Sequence, residues 1–177
     1  MYGGTSILDS TYQNLYREPE NYLLKIEHRQ MAYHKNSNAD FFIENNLNLA
    51  IRLPEMILLL DDTLFYTFYK YQEKLVIDYY NNSEFNLISI LNGDWNKFII
   101  DEVDKIGQNK IIYISMKDYD ISGRIEIDKD YFPSQININF SKDEYFKLNL
   151  QQNIYNLTEL SEIIPDTTGW EVIDFRE

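Results

Sequence analysis

The spacing of hydrophobic residues changes character near the middle of the chain. In the first part, apolar residues recur every three or four positions, which is the period of an amphipathic helix. Leu64, Phe68, Tyr71 and Leu75 follow this spacing inside an apolar stretch at 56–80. The pattern therefore predicts that the first part of the chain is mainly helical.

Residues typical of helix ends support this prediction. Pro19 stands where a first-turn proline would begin a helix, and residues 38–40 (Asn-Ala-Asp) offer a cap for a second helix. Asp94 can cap a further helix over 95–106, and Gly107 lies just beyond its end, where glycine is favoured. We expect 95–106 to be the best-defined helix of the chain.

Further along, the period of the pattern becomes two. Apolar and polar residues alternate over 121–128, 136–141 and 145–150, and an apolar run at 111–116 precedes them. Alternation of this kind is typical of strands with one buried face. Short polar turns separate the segments, so the pattern predicts an antiparallel meander of about four strands.

After the meander, the sequence predicts a short helix at 159–164 that ends at Pro165. Trp170, Val172 and Phe175 then form a last strand or a docked tail. Helices followed by strands indicate the α+β class. We expect N-terminal helices packed on the β-meander, with a short C-terminal helix.

The length favours a single domain over 1–177. We expect its helical part to occupy roughly 12–107 and its β-rich part roughly 110–177. No internal repeat and no linker rich in glycine, serine or proline divides the chain.

Charge and composition restrict the partners. The net charge is -13, of which -11 lies after residue 60, and there is no cysteine. Disulfides, thiol nucleophiles and cysteine-based zinc sites are excluded. The negative charge disfavours nucleic acids and anionic membranes as partners and favours a basic protein. The start of the chain shows no secretory signal, so we expect a cytoplasmic location.

One segment resembles a calcium-binding loop. Asp118, Asp120, Ser122 and Gly123 match the first positions of an EF-hand, but Lys129 stands where the motif requires a bidentate glutamate. A hairpin turn explains the same residues. We expect no metal here, although a weak calcium site of another type near Asp118 stays open.

No other pattern specifies a reaction. His28 and His34 do not share a helical face, and no phosphate loop or nucleophile elbow is present. Chance pairs of carboxylates are unavoidable among 29 acidic residues, and Asp61-Asp62 is best explained as a helix cap or break. We therefore expect no enzyme, no cofactor and no catalytic residue.

Tyrosines lie beside acidic residues in the β-rich part. Tyrosine combines apolar area with a polar tip, and carboxylates attract lysine and arginine, so together they suit a docking surface for a basic protein. The candidate partner-binding residues are Asp118, Tyr119, Asp120, Glu126, Asp128, Asp130 and Tyr131.

In size, acidity and lack of catalytic motifs, the chain resembles bacterial immunity proteins of contact-dependent growth inhibition and other polymorphic toxin systems. The resemblance implies stoichiometric neutralisation of one cognate toxin, a nuclease with a basic surface. An acidic mimic of nucleic acid that inhibits defence proteins is the first alternative. An unrecognised enzyme that depends on carboxylates is the second.

Overall fold

The computed structural model describes residues 11, 20–45, 47–81, 86–92, 98–116, 120–153 and 160–176. Within them, strands dominate and form one sheet of twelve strands. The strands are β1 (Glu20–Gln30), β2 (Tyr33–Asn45), β3 (Asn48–Arg52), β4 (Met56–Asp61), β5 (Leu64–Tyr69), β6 (Lys74–Tyr79), β7 (Ile99–Ile106), β8 (Asn109–Met116), β9 (Ile121–Ile127), β10 (Pro133–Ser141), β11 (Glu144–Gln152) and β12 (Glu171–Asp174).

The order across the sheet is β12-β6-β5-β4-β3-β2-β1-β11-β10-β9-β8-β7. Two runs of consecutive hairpins, β1 to β6 and β7 to β11, join where β1 pairs with β11. All neighbours are antiparallel except β12, which pairs in parallel with β6. We call the end of the sheet at which β1 begins the lower end. The opposite end, at which the chain turns from β1 into β2, is the upper end.

The inner face of the sheet carries the main core, because side chains alternate between faces along each strand. Phe41, Ile51 and Leu24 are fully buried there, as are Ile112 and Ile138 on the other half of the sheet. A short helix, α1 (Leu87–Leu91), packs its apolar residues into the same cluster. The inner face is thus apolar across both runs of hairpins.

The outer face has a second, smaller apolar cluster near β12. Phe42, Ile57 and Phe68 contribute to it from neighbouring strands. The C-terminal part of the chain covers it: Ile163 is buried beside a short 3-10 helix (Leu160–Glu162), and Trp170 meets Phe68 edge-on with ring centroids 6.5 Å apart. This segment therefore fixes β12 beside β6.

Elsewhere the outer face is polar. Between β1 and its neighbours, the Tyr145 hydroxyl donates to Glu27 Oε1 at 2.5 Å, and His34 Nε2 lies 3.1 Å from the same oxygen. The hydrogen bond from Tyr145 is the main reason that the pKa of Glu27 is lowered. The two faces therefore differ sharply in polarity.

The expected α+β class is wrong, because residues assigned to helices form strands β1 to β7. The stretch at 56–80 is three strands, and residues 38–40 lie inside β2 rather than capping a helix. Of the expected helix at 95–106, residues 99–106 form β7 and residues 95–97 lie outside the described part. Spacings of four occur on one face of a strand as well as of a helix, which explains the error.

The meander expected for 111–150 coincides with β8 to β11, but these are four of twelve strands. The C-terminal helix expected at 159–164 is the 3-10 helix, with 159 outside the described residues. Asp61 and Asp62 do not cap or break a helix: Asp61 ends β4, and Asp62, with a φ of 54°, lies in the turn to β5. None of the described helices is long and apolar enough to cross a membrane.

Candidate ligand-binding site

A cavity of about 430 Å³ opens on the inner face between the β5–β6 hairpin, the approach to α1 and the end of β12. Its volume is within the range of pockets that hold small ligands. It is lined by Phe65, Thr67, Val76, Asp78, Tyr79, Tyr80, Asn81, Asn86 and Phe175.

The pairing register of β5 with β6 determines which side chains form the floor of this cavity. Phe65 pairs with Asp78 and Thr67 pairs with Val76, so these four side chains lie on one face. Phe65 also packs against the main core, so the floor of the cavity adjoins the apolar cluster of the inner face. Beyond β6, the backbone N–H of Phe175 donates to Ile77 O at 2.9 Å and holds the aromatic ring at the cavity's far side.

Polar side chains anchor α1 over the cavity. Asn86 caps the helix: its side chain accepts from the Ser89 N–H at 3.0 Å, and Ser89 Oγ accepts from the Asn86 N–H at 2.8 Å. At the helix end, Asn92 Nδ2 donates to the Tyr80 hydroxyl at 3.0 Å. The capping box closes the start of α1 within the helix itself, and the bond from Asn92 ties the end of the helix to Tyr80, just after β6.

Of the described residues that line this cavity, Asp78 is the one with a charged side chain. Its Oδ1 accepts from the backbone N–H of Tyr79 at 2.7 Å. Phe65, Val76 and Phe175 supply apolar walls, whereas Thr67, Asn81 and Asn86 offer hydrogen-bonding groups. Such a lining suits a ligand that is mostly apolar with a polar end.

A second cavity, of about 390 Å³, also lies at the lower end, where the two runs of hairpins meet. Here the Tyr22 hydroxyl donates to Glu20 Oε2 at 2.7 Å, and the Tyr22 ring stacks on Phe132 at 5.1 Å. Burial first, and then the bond to Glu20, raise the pKa of Tyr22 far above its ordinary value. Asp128, Asp130 and Gln152 complete the lining.

A third, smaller cavity lies beside the salt bridge between β2 and β3. Arg52 donates to Asp40 Oδ2 through Nε at 3.0 Å and Nη2 at 2.8 Å. Lys70 Nζ donates to Leu53 O at 2.5 Å, and burial, followed by nearby Arg52, lowers the pKa of Lys70. Each cation already has a protein oxygen as partner, so this cavity is the weaker candidate for a ligand site.

The structure separates the partner-binding residues expected from the sequence. Asp120 lies at the upper end, before β9, whereas Asp128 and Asp130 lie at the lower end, after β9. A strand of seven residues spans roughly 23 Å, so the two groups do not form one cluster. Asp118 and Tyr119 lie outside the described residues. Whether any of these residues contacts a partner stays a prediction.

Two other residues of that set interact within the fold. Glu126 Oε1 lies 3.3 Å from Arg124 Nη2 on the outer face. Lys110 Nζ lies 4.0 Å from the centre of the Tyr131 ring, and its hydrogen bond lowers the pKa of the Tyr131 hydroxyl. These interactions give both residues a local structural role.

Asp128 organises the turn between β9 and β10. Its Oδ1 accepts from the backbone N–H groups of Asp130 and Phe132, each at 2.9 Å. Asp128→Ala should therefore lower the free energy of unfolding by about 1–2 kcal/mol, because two N–H groups lose a charged acceptor. Urea denaturation measures this, with Asp130→Ala as the exposed control; equal stability of the two variants would contradict the assigned role.

The described residues contain no cluster of three or more histidine or acidic side chains that could hold a metal ion. His28 lies against Phe146, with ring centroids 5.8 Å apart, and His34 lies beside Glu27. The calcium-like segment falls partly outside the described residues, at 117–119.

Sequence reasoning missed the residues that line the first cavity. Phe65, Thr67, Val76 and Asp78 were placed on a long helix, and Phe175 in a last strand or tail. The available signal was the aromatic and β-branched residues concentrated in 64–69 and 74–79, with the polar residues Gln72 and Glu73 between the two segments. Pairing these two segments as a hairpin brings the four side chains together.

Comparisons with known proteins show which solved structures have a similar fold. No family model and no curated protein matches the chain. An uncharacterized conserved protein from Thermus thermophilus superposes with a TM-score of 0.60 at 11% identity, covering 96% of this chain and 98% of that one. A LolA superfamily protein from Nitrosomonas europaea superposes with a TM-score of 0.50 at 10% identity, covering 94% and 99%.

The resemblance to immunity proteins is therefore wrong, and so are toxin neutralisation as the function and a basic toxin as the partner. Size, acidity and missing motifs are properties that many folds share, so they could not select a family. Over almost its whole length, the chain has a fold similar to that of a LolA superfamily protein.

Proposed function

We propose that this protein binds a hydrophobic ligand on the inner face of its sheet, in the cavity lined by Phe65, Val76 and Phe175. The observation that carries the proposal is that Phe65 and Tyr80 line this cavity and also pack against the apolar core of the inner face. Burial of apolar surface stabilises a ligand there by roughly 25 cal/mol per Å² before the costs of association.

The similarity to a LolA superfamily protein supports the same proposal at the level of the fold. In both chains nearly the whole length takes part in the superposition, so the likeness concerns the fold as a whole and not one segment. We propose binding rather than catalysis, since the described residues of the lining combine apolar walls with a single carboxylate. The cytoplasmic location stays a prediction.

A variant that fills the cavity tests this proposal. Val76→Phe should weaken binding of the uncharged fluorescent probe N-phenyl-1-naphthylamine at least tenfold, because the added ring occupies the floor beside Thr67. Fluorescence titration measures the affinity, and urea denaturation verifies that the variant is folded.

Val172→Phe is the matched control. Val172 lies on β12 beside Leu75, on the outer side of the sheet, and is 55% exposed. It should bind the probe as the native protein does. Absence of saturable binding to the native protein, or an equal loss in both variants, would refute the proposal.

A further inference from the structure

A buried polar residue, Thr67, interrupts the apolar inner face at the floor of the first cavity. It lies on β5 between Leu58 of β4 and Val76 of β6, its partners across the sheet. Leu58 packs against the main core, and so does Phe65, two residues before Thr67 on the same face. The Thr67 hydroxyl is therefore placed among apolar side chains.

This hydroxyl has no hydrogen-bond partner within the described part of the chain. Thr67 is only 8% exposed, and no hydrogen bond joins its Oγ1 to another described residue. Ser89, which is also buried, donates instead from Oγ to Asn86 O at 2.8 Å. Burying a hydroxyl without a hydrogen bond costs free energy, so the place of Thr67 in the cavity lining points to a polar atom of the ligand as its partner.

The carboxylate of Asp78 lies diagonally across from Thr67 on the same face. Asp78 pairs with Phe65, while Thr67 pairs with Val76. Such diagonal neighbours are about 7–8 Å apart, within reach of one small polar group placed between them. Asp78 Oδ1 accepts from the backbone N–H of Tyr79 at 2.7 Å, and Oδ2 can accept from a ligand.

Together these two side chains favour one kind of polar head group. A hydroxyl group can accept from Thr67 and donate to Asp78 at the same time. A carboxylate has no proton to donate at neutral pH, and it would approach the negative charge of Asp78. An ammonium group could donate to both side chains, but it would leave the Thr67 O–H without an acceptor.

We infer that the ligand is a long-chain alcohol, an uncharged amphiphile whose hydroxyl group lies between Thr67 and Asp78 and whose chain lies against Phe65, Val76 and Phe175. This inference rests on the proposed function, since the cavity is the same. The apolar walls account for the chain, and Thr67 with Asp78 selects the head group.

Two ten-carbon compounds with different head groups give the first test. 1-Decanol and decanoate, both at pH 8, would compete with N-phenyl-1-naphthylamine for the native protein in a fluorescence displacement titration. Decanol should bind about tenfold more tightly, because it satisfies both side chains and brings no charge towards Asp78. Any apolar cavity favours an uncharged compound to some degree, so variants must assign this preference to the two side chains.

Thr67→Val removes the hydroxyl and keeps the shape of the side chain. It should weaken decanol binding about fivefold, whereas Thr67→Ser, which keeps the hydroxyl, should bind decanol nearly as the native protein does. In urea denaturation without ligand, Thr67→Val should be at least as stable as the native protein, because its hydroxyl has no partner to lose. A hydroxyl with a purely structural role would give the opposite result.

Asp78→Asn tests the second side chain. It should reduce the preference for decanol over decanoate about fivefold, because decanoate then meets no like charge in the cavity. Asp61→Asn is the matched control: Asp61 pairs with Leu64 at the end of β4, and its side chain alternates with that of Leu60 to the outer side. This control should keep the native preference.

The outcomes distinguish this inference from the proposed function. Equal affinity of the native protein for decanol and decanoate, an equal effect of the two Thr67 variants or of the two asparagine variants, or a marked loss of stability in Thr67→Val would overturn the inference and leave the proposed function standing. Absence of saturable binding of N-phenyl-1-naphthylamine to the native protein would overturn the proposed function itself.

Discussion

Phe41→Ala should destabilise the protein by about 3–5 kcal/mol, the cost of truncating a large buried aromatic side chain. Phe41 is fully buried at the centre of the inner face, where its ring lies 5.9 Å from that of Tyr22. Its pairing with Tyr22 and Ile51 places it between β1 and β3. A cavity at this point would remove contacts on both sides of β2, and urea denaturation would show the loss.

Tyr33→Ala is the control on the same strand, because Tyr33 is 57% exposed, and it should change stability by less than about 0.5 kcal/mol. If Phe41→Ala does not fold, Phe41→Leu replaces it, with an expected cost of about 1–1.5 kcal/mol. Similar stability of the Phe41 and Tyr33 variants would contradict the assignment of the inner face.

Gly123→Ala should cost about 1–3 kcal/mol, the range for overpacking a close-packed core. A Cβ at this position would lie 2.6 Å from Asn137 O and 2.8 Å from Ile138 Cδ1. The first of these atoms belongs to the backbone of β10, so β9 and β10 must move apart to admit a methyl group. Thermal or urea denaturation would measure the loss.

The neighbouring residue provides the control for this substitution. Ser122 is exposed on the outer side of β9, and Ser122→Ala should leave stability nearly unchanged. Native stability of Gly123→Ala would mean that the close approach of β9 and β10 at this position is wrong.

The sequence allowed β8 to β11 to be located because their residues alternate cleanly. Ile125 and Ile127 are buried while Arg124 and Glu126 face the outer side, as period-two patterning requires. These strands have one apolar and one polar face, so a single sequence carries the signal.

The first half could not be interpreted in this way, because both faces of β4 and β5 are apolar. Leu60 packs into the inner cluster, whereas Ile57 and Leu59 pack into the outer one. Burial on two sides removes the alternation and leaves an apolar run that a helix explains equally well. The C-terminal segment that covers the outer cluster is far along the chain from β4 and β5. The sequence near those strands therefore does not reveal that their outer face is covered.

The residues at the turns were also consistent with both helix ends and hairpins. Gly107 has a φ of 64° and connects β7 to β8, yet glycine in the left-handed region is equally typical of a helix end. Asp62, in the turn between β4 and β5, also has a positive φ, of 54°. Local residues therefore identified the breaks in the chain and not the elements that the breaks join.

The candidate site depends on register, which the sequence does not specify. Phe65 and Val76 belong to β5 and β6, whereas Phe175 lies just after β12, about a hundred residues further along the chain. The parallel pairing of β12 with β6 brings Phe175 to the cavity.

The central claim, that a hydrophobic ligand occupies the cavity on the inner face, is tested most directly by NMR on methyl-labelled protein with dodecyl maltoside. We predict nuclear Overhauser effects from the dodecyl chain to the methyl groups of Val76 and Thr67, and none to Val172 on the outer side. Effects confined to Val172 and its outer-face neighbours, or no effects at all, would contradict the account.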